Sequence, residues 1–511
     1  MQINRVPIAE IKTSRLDPDY YRPEYLASEQ AVKNFGSFSL GGAGKLFSGP
    51  FGSKLPSKLY LNEGVPLFRI SNIGNMEVIP QNMAHLAPEV HQELVTSEVG
   101  AGDLLIVKAS VSEKICKVPD NISRANITQH IVALRSNGKY DTDYLMAFLF
   151  SRFGRHQLLR RSLGSIIQYL GISDTRNVAV PKLSDSTQSY IGNKVRQAEL
   201  LRSWAKKIDI KIKDYFNTLL LDIPTKKLQK KYTKVTSDAL IPRINAEFYS
   251  EDYRQVEAAL KHNFKALVTI NDIAPVNKKK NRPSSSCTYY EISNVNCVNG
   301  KVEEGTFYNI GEAPNNAQRK CNYGDLVLST RRPHRGAVAV VENDSADNYY
   351  SVFLVRLQPK SLALSYWLKE YLRHDVGKSL MLMRCTWTTY PVISEDDIST
   401  IPVPNMQKDW SYIGELASLK NELHNLTNKL TTLSQLLVEY LIESKITEAQ
   451  LTGAQEALEE GDNSKDRAIL SKLTDKGYLT EGGKPLFNDL DKLYELLDEA
   501  KVVMEVDGEL V

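Results

Sequence analysis

The chain has 511 residues, 42% hydrophobic and 24% charged, with a formal net charge of +3. That length suits roughly two to four domains with full cores, and no apolar run approaches the roughly 20 residues that span a bilayer. MQINRVPIAEIKTSRLD has no apolar signal segment, and Cys116, Cys287, Cys297, Cys321 and Cys385 form no CxxC pair, so a cytoplasmic protein with reduced thiols and no zinc site is expected. The charge is uneven. From Ser444 onward about sixteen acids face about eight bases, which leaves the body at about +11. A basic body suggests a polyanionic partner.

A Tyr-rich entry segment, SRLDPDYYRPEY, occupies 14–25. Short β-like runs broken by Gly, Asn and Pro follow, among them VPLFRISNI (65–73) and GDLLIVKAS (102–110). A helical patch, DYLMAFLFSRFGRHQLLRR (143–161), precedes Val180-Pro181, whose proline closes the globular part. A long helix is predicted next. Ile191, Ala198, Leu201, Ala205, Ile208, Ile212, Tyr215 and Leu219 form its seam. The Lys-rich stretch after it reads as a linker.

The order then begins again. PRINAEFYSEDY at 242–253 echoes the entry segment, and ISN at 70–72 returns at 292–294. GDLLI at 102–106 returns as GDLVL at 324–328, and SYIG at 189–192 returns at 411–414. The last three pairs share one offset of 222 residues. A register held that long marks a duplicated unit. The second copy continues through GAVAVVE (336–342), ALSYWLKEYLRHD (363–375) and Val403-Pro404. Its long helix places Leu416, Leu419, Leu423, Leu426, Leu430, Leu433 and Leu437 at alternating spacings of three and four, a coiled-coil seam. In the tail, RAILSKLTDKG (467–477) and FNDLDKLYELLDEAK (487–501) are amphipathic at helical spacing.

The expected fold is α+β. It comprises two mixed α/β domains in pseudo-twofold repeat, separated by an antiparallel pair of long coiled-coil helices, plus a small helical tail. The expected boundaries are 1–182 for the first domain, 183–222 for its helix and 223–241 for the linker. They are 242–405 for the second domain, 406–443 for its helix and 444–511 for the acidic tail. Because each helix follows its domain, antiparallel packing would put the domains at opposite ends of a helix pair about 45–50 Å long.

Three apparent motifs fail on their details. DPDYY (17–21) suggests the Asp-Pro-Pro-Tyr motif of adenine methyltransferases, but Asp19 replaces the second proline and the repeat reads NAEFY (245–249). Packing aromatics are the better reading. GGAGK (41–45) lacks the first glycine of a phosphate loop, having Ser39 there, and Leu46 replaces the hydroxyl residue after the lysine. His85 and His91 lack helical metal spacing. No catalytic constellation emerges, so neither cofactor nor metal is expected.

Candidate nucleic-acid contacts lie in loop settings in both units. TRRPHRG (330–336) follows a predicted strand, and Arg331, Arg332 and Arg335, with His334 between them, suit bidentate contacts to guanine or phosphate. Lys278, Lys279, Lys280 and Arg282 add a basic run near the start of that domain. In the first unit Lys108 and Lys114 bracket the turn that corresponds to the arginine loop. GPFGSK, with Gly49, Phe51, Gly52, Ser53 and Lys54, is a tight loop whose glycines would let backbone N–H groups approach a phosphate. Gln129, Gln168 and Tyr169 complete the candidates.

The GPFGS loop, the ISN strand, the GDLL turn and the heptad helix after a Val-Pro ending resemble, in kind and order, the specificity subunit of a type I restriction–modification system. The resemblance covers about 14–443. It implies two target-recognition domains, each reading one half of a bipartite site on double-stranded DNA, with the helix pair as spacer. It also implies two modification subunits that bring S-adenosylmethionine and adenine methylation, and restriction subunits that bring ATP-driven translocation and cleavage. The chain itself would be a non-catalytic adaptor with no membrane association. A specificity part of a type IIB/IIG-like system and a non-DNA coiled-coil scaffold are the competing readings.

Overall fold

The computed structural model describes residues 5–8, 11, 15–108, 114–164, 169–225, 234–237, 240, 245–343, 345, 347–387, 389–474, 477–478 and 484–508. Parts of the expected linker (226–233, 238–239, 241) therefore lie outside the described residues. The chain forms two compact units, Met1–Ser203 with Leu423–Val511, and Trp204–Glu422. Among the described residues no helix is long and apolar enough to cross a membrane.

The first unit begins with the entry segment and a helix, Pro23–Phe35. Its strands are β1 (Ser37–Ser39), β2 (Gly44–Ser48), β3 (Val65–Phe68), β4 (Ala84–Leu86), β5 (Glu98–Val99), β6 (Leu104–Val107), β7 (Ile115–Lys117), β8 (Ala125–Ile127), β9 (Ile131–Ser136) and β10 (Ala179–Pro181). One four-stranded sheet runs β2-β9-β6-β7, and a second runs β4-β3-β8-β5. All pairings are antiparallel except β3 with β8. The alternating apolar faces of these strands bury a core that includes Phe68, Val99, Leu105, Cys116, Ile127 and Ala133. The Val-Pro closure is β10, which pairs with β1, and buried Tyr144 donates its hydroxyl to Pro181 O at 2.6 Å. The helical patch is two helices, Thr142–Phe150 and Arg152–Arg161. Ser151 divides them, because its hydroxyl caps the second by accepting from Gly154 N.

The second unit repeats the plan with β11 (Leu267–Thr269), β12 (Val276–Asn277), β13 (Cys287–Tyr290), β14 (Thr306–Tyr308), β15 (Ala317–Lys320), β16 (Leu326–Ser329), β17 (Val338–Val340), β18 (Asn348–Ser351), β19 (Leu354–Leu357), β20 (Thr386–Trp387), β21 (Pro391–Val392) and β22 (Pro402–Pro404). Its sheets run β12-β19-β16-β17 and β14-β13-β18-β15, and only β13 with β18 is parallel. Strand order and the place of the parallel pair match the first unit. Here β22 closes on β11, and Tyr371 donates to Pro402 O at 2.9 Å.

The repeated motifs hold this frame. ISN is a 3-10 turn after β3 and β13, where a continuing strand was expected. Asn72 Oδ1 accepts from Arg69 N at 3.1 Å while its amide donates to Ile79 O at 3.0 Å. Asn294 does the same with Glu291 N at 2.8 Å and Glu304 O at 2.6 Å. The aspartate of each GDL motif accepts from an arginine on the central strand beside it. Arg135 reaches Asp103 at 2.7 Å, and Arg356 reaches Asp325 at 2.6 Å. The glycine of SYIG lets each long helix pack closely. A Cβ on Gly414 would fall 2.0 Å from Ala363 O, and one on Gly192 would fall 2.7 Å from the Asp141 carboxylate. The entry tyrosines Tyr20 and Tyr21 are buried, with Arg15 and Arg160 over the Tyr20 ring, as packing aromatics should be.

The long helices are Asp185–Leu219 and Gln407–Ile442. In the first unit Leu201, Leu423, Leu426, Leu430, Leu433 and Leu437 are buried, and Thr427 Oγ1 bonds to Ala198 O at 3.4 Å. In the second unit Ile208 and Ile212 are buried. There Asp209 meets Lys420, Lys211 meets Tyr412 and Tyr215 meets Asp409, so the two segments run antiparallel. The leucine seam departs from expectation at its start. Leu416 and Leu419 are only half-buried, while Ile413, Ala417, Lys420 and Asn421 are buried in their place. Lys420 takes a core position because Asp209 at 3.0 Å and Glu370 at 2.9 Å compensate its charge.

The tail forms helices Glu448–Glu459, Ser464–Leu470 and Leu490–Gly508 with a short hairpin, Leu473–Thr474 against Gly477–Tyr478. The helix expected over 467–477 thus stops at Leu470. The tail docks on the start of the first long helix, where Ser184 N donates to Glu448 and Asn193 to Gln455.

Candidate nucleic-acid interface

In the first unit the strand ends bring four separate segments together. Lys108 N donates to His130 O at 2.9 Å, and Leu170 N donates to Lys108 O at 2.8 Å. The Lys108 ammonium turns inward to Ser48 Oγ at 2.7 Å and lies 5.0 Å from the Tyr169 ring centroid. Only 6% of Lys108 is exposed, so it stands in the wall of the site. Ser48 ends β2 and leads directly into GPFGSK, where Phe51, Gly52, Ser53 and Lys54 are exposed.

The glycines of this loop have local work. A Cβ on Gly49 would fall 2.2 Å from Ile127 O, so the turn between β8 and β9 requires glycine there. Gly52 N already donates to Gln129 Oε1 at 3.0 Å, and Gln129 Nε2 lies 3.3 Å from His130 Nε2. Lys114 reaches back to Ile70 O at 3.4 Å. Gln168 lies outside the described residues. Beside the loop is a cleft of about 290 Å³ lined in part by Tyr60, Arg69, Ser71, Thr128 and His130.

The second unit builds the equivalent place with different residues. Thr330 N donates to Phe353 O and Ile393 N to Thr330 O, both at 2.9 Å, the same pair of bonds that frames Lys108. The arginine loop follows. Ser329 Oγ bonds both the N–H and the carbonyl of Arg331. Arg332 N donates to Pro391 O at 2.8 Å, and its φ of 50° is left-handed. The Arg331 guanidinium lies 3.6 Å from the Phe353 ring centroid, and that of Arg332 lies 5.1 Å from Tyr390. Arg331, Arg332 and Arg335 are exposed, and among the described residues no carboxylate pairs with them. Burial, then the neighbouring Arg335, Arg332 and Lys378, holds the His334 imidazole below its ordinary pKa.

The lysine run begins at the end of β12, the counterpart of β2, so it takes the place that GPFGSK takes in the first unit. Lys278 pairs with Asp396 at 2.5 Å, Arg282 donates to Asn315 at 3.0 Å, and Lys279 and Lys280 are exposed. A cleft of about 610 Å³ opens beside the arginine loop. Sequence reasoning missed Tyr60, Arg69, His130, Phe353 and Tyr390. His91, buried against Glu98 at 2.6 Å and Asn126 at 3.3 Å, is a satisfied core histidine.

Stacked guanidiniums and loop amides at the ends of paired strands can bind phosphates and the edges of bases. Solved structures similar to this chain include type I restriction–modification specificity subunits. The S subunit from M. genitalium is 13% identical, with 80% of this chain and 96% of that chain covered and a TM-score of 0.44. The HsdS subunit from Thermoanaerobacter tengcongensis is 14% identical, with 80% and 97% covered and a TM-score of 0.28. A chain from a study of assembly and conformational transition in a type I system is 15% identical, with the same coverages of 80% and 97% and a TM-score of 0.30. No family model and no curated protein matches the chain.

Proposed function

We propose that this chain is the DNA-recognition subunit of a type I restriction–modification complex. Each unit reads one half of a bipartite site on double-stranded DNA and presents it to two adenine-methylating modification subunits. S-adenosylmethionine chemistry and ATP-driven cleavage belong to those partners and to restriction subunits, and the chain itself catalyses nothing. One observation carries the reading. Two units share a frame down to Asn72 with Asn294 and Asp103 with Asp325, yet the segments at the equivalent strand ends differ. A shared scaffold with unlike loops suits two unlike short sequences on a common backbone geometry.

Genomic methylation mapping with and without the gene tests this. The expected result is loss of adenine methylation at one bipartite motif when the gene is deleted. An unchanged methylation map overturns the proposal. Incubating the purified chain with labelled S-adenosylmethionine and DNA should give no transfer. Transfer by the chain alone would favour the type IIB/IIG-like alternative.

A further inference from the structure

The cleft beside the arginine loop contains an acid. Glu303 lines it together with Arg331, Arg332, Arg335 and Tyr390. The carboxylate is exposed and accepts from Asn296 Nδ2 at 2.6 Å. Among the described residues it pairs with no cation, although three guanidiniums line the same cleft. Among the described residues the first unit's cleft has no acid in its lining.

A phosphate alone offers no donor to the Glu303 carboxylate and is repelled by its charge. The ligand that fits presents acceptors to the arginines and a donor to Glu303. The major-groove edge of a G·C pair does this, because guanine offers O6 and N7 side by side and cytosine offers its N4 amino group. Adenine sets a donor beside its N7, which opposes one arm of a guanidinium. Arg331 is prepared for such a contact. Its guanidinium carbon lies over the Phe353 ring, 3.6 Å from the centroid, and Ser329 Oγ bonds both its N–H and its carbonyl. Arg332 holds an uncommon left-handed backbone, a strain that clusters at functional sites.

We infer that the second unit's cleft reads a G·C base pair, with Arg331 donating to guanine O6 and N7 and Glu303 accepting from cytosine N4. This rests on the DNA-reading function proposed above. Glu303 thereby becomes a specificity-determining residue of the second half-site.

The test is selection from duplexes with a random core by the full-length protein, by Arg331→Ala and by Glu303→Gln. The wild-type protein should enrich two separated sequences, one containing a G·C pair that Arg331→Ala no longer requires. Arg331→Ala should bind the selected duplex about tenfold more weakly or worse. Glu303→Gln should relax the preference at the cytosine of that pair. Replacing the guanine with 7-deazaguanine, which lacks the N7 acceptor, should weaken the wild-type protein and leave Arg331→Ala unaffected. If both variants select the wild-type sequence at unchanged affinity, the inference falls and DNA reading stands. If the wild-type protein enriches no sequence, both fall.

Discussion

The ammonium of Lys194 lies 2.7 Å from the carboxylate of Asp466, and each side chain is only 1% exposed. Tyr190 and Tyr494 each donate to the same carboxylate at 2.5 Å, so the tail is anchored by an acid with every lone-pair direction used. Removing one partner of such a pair strands the other. Asp466→Ala should therefore cost about 3–5 kcal/mol of first-unit stability. Urea unfolding checks the value. Asp466→Leu combined with Lys194→Met should recover much of the loss, because the double change leaves no buried charge unpaired.

Acid should destabilise the first unit through Glu29. Burial pushes this carboxyl up, but Arg161, Lys33 and Arg160 outweigh burial and lower its pKa from 4.5 to about 2. A depressed carboxyl stabilises the fold fully above the unfolded value near 4.5 and loses that stabilisation as pH falls toward about 2. The thermal midpoint should drop across this window. Glu29→Gln should begin lower at neutral pH and show a flatter acid limb.

Asn72 is fully buried and pins the turn after β3. Asn72→Ala leaves its backbone partners unpaired and should cost about 1–3 kcal/mol. Because the residue belongs to the frame, the folded variant should select the same DNA sequence as the wild-type protein. A changed preference would make Asn72 a reader.

Arg335 and Arg331 should separate phosphate from base contact. Arg335 is exposed and makes no aromatic stack among the described residues, which suits a phosphate. Arg335→Gln should weaken binding to all duplexes alike and shallow the salt dependence by about one phosphate's worth of slope. Arg331→Gln should instead act at the second half-site alone. Titrations with selected and unrelated duplexes over a range of salt concentrations distinguish the two.

The duplication was legible in the sequence because its motifs are the frame. Asn72, Asp103 and Gly192 keep their identity at the register of 222 residues since each bonds or packs at a fixed place. The leucine seam was legible from Leu423 to Leu437, where Leu423, Leu426, Leu430, Leu433 and Leu437 are all buried. It failed at Leu416 and Leu419 because hydrophobic spacing cannot anticipate a buried Lys420 held by Asp209 and Glu370. The arginine loop was legible as a basic run after a strand. Its aromatic supports were not, because Phe353 and Tyr390 are remote in sequence and arrive through β19 and β21. Gly49 was read as a means of phosphate approach, yet its nearest demand is the backbone of Ile127 and Thr128.

The two units are threaded differently. Trp204–Glu422 is one continuous stretch, whereas the other unit joins Met1–Ser203 to Leu423–Val511. On the ribosome the continuous unit can complete its contacts first, although it is made second. Meanwhile Ala198, Leu201 and Lys194 must wait for Thr427, the leucines from Leu423 onward and Asp466. At about 5–20 residues per second that wait lasts on the order of ten to fifty seconds. Through that interval a nascent helix carries an uncovered apolar seam and an uncompensated lysine, and it is there that the growing chain most needs a chaperone.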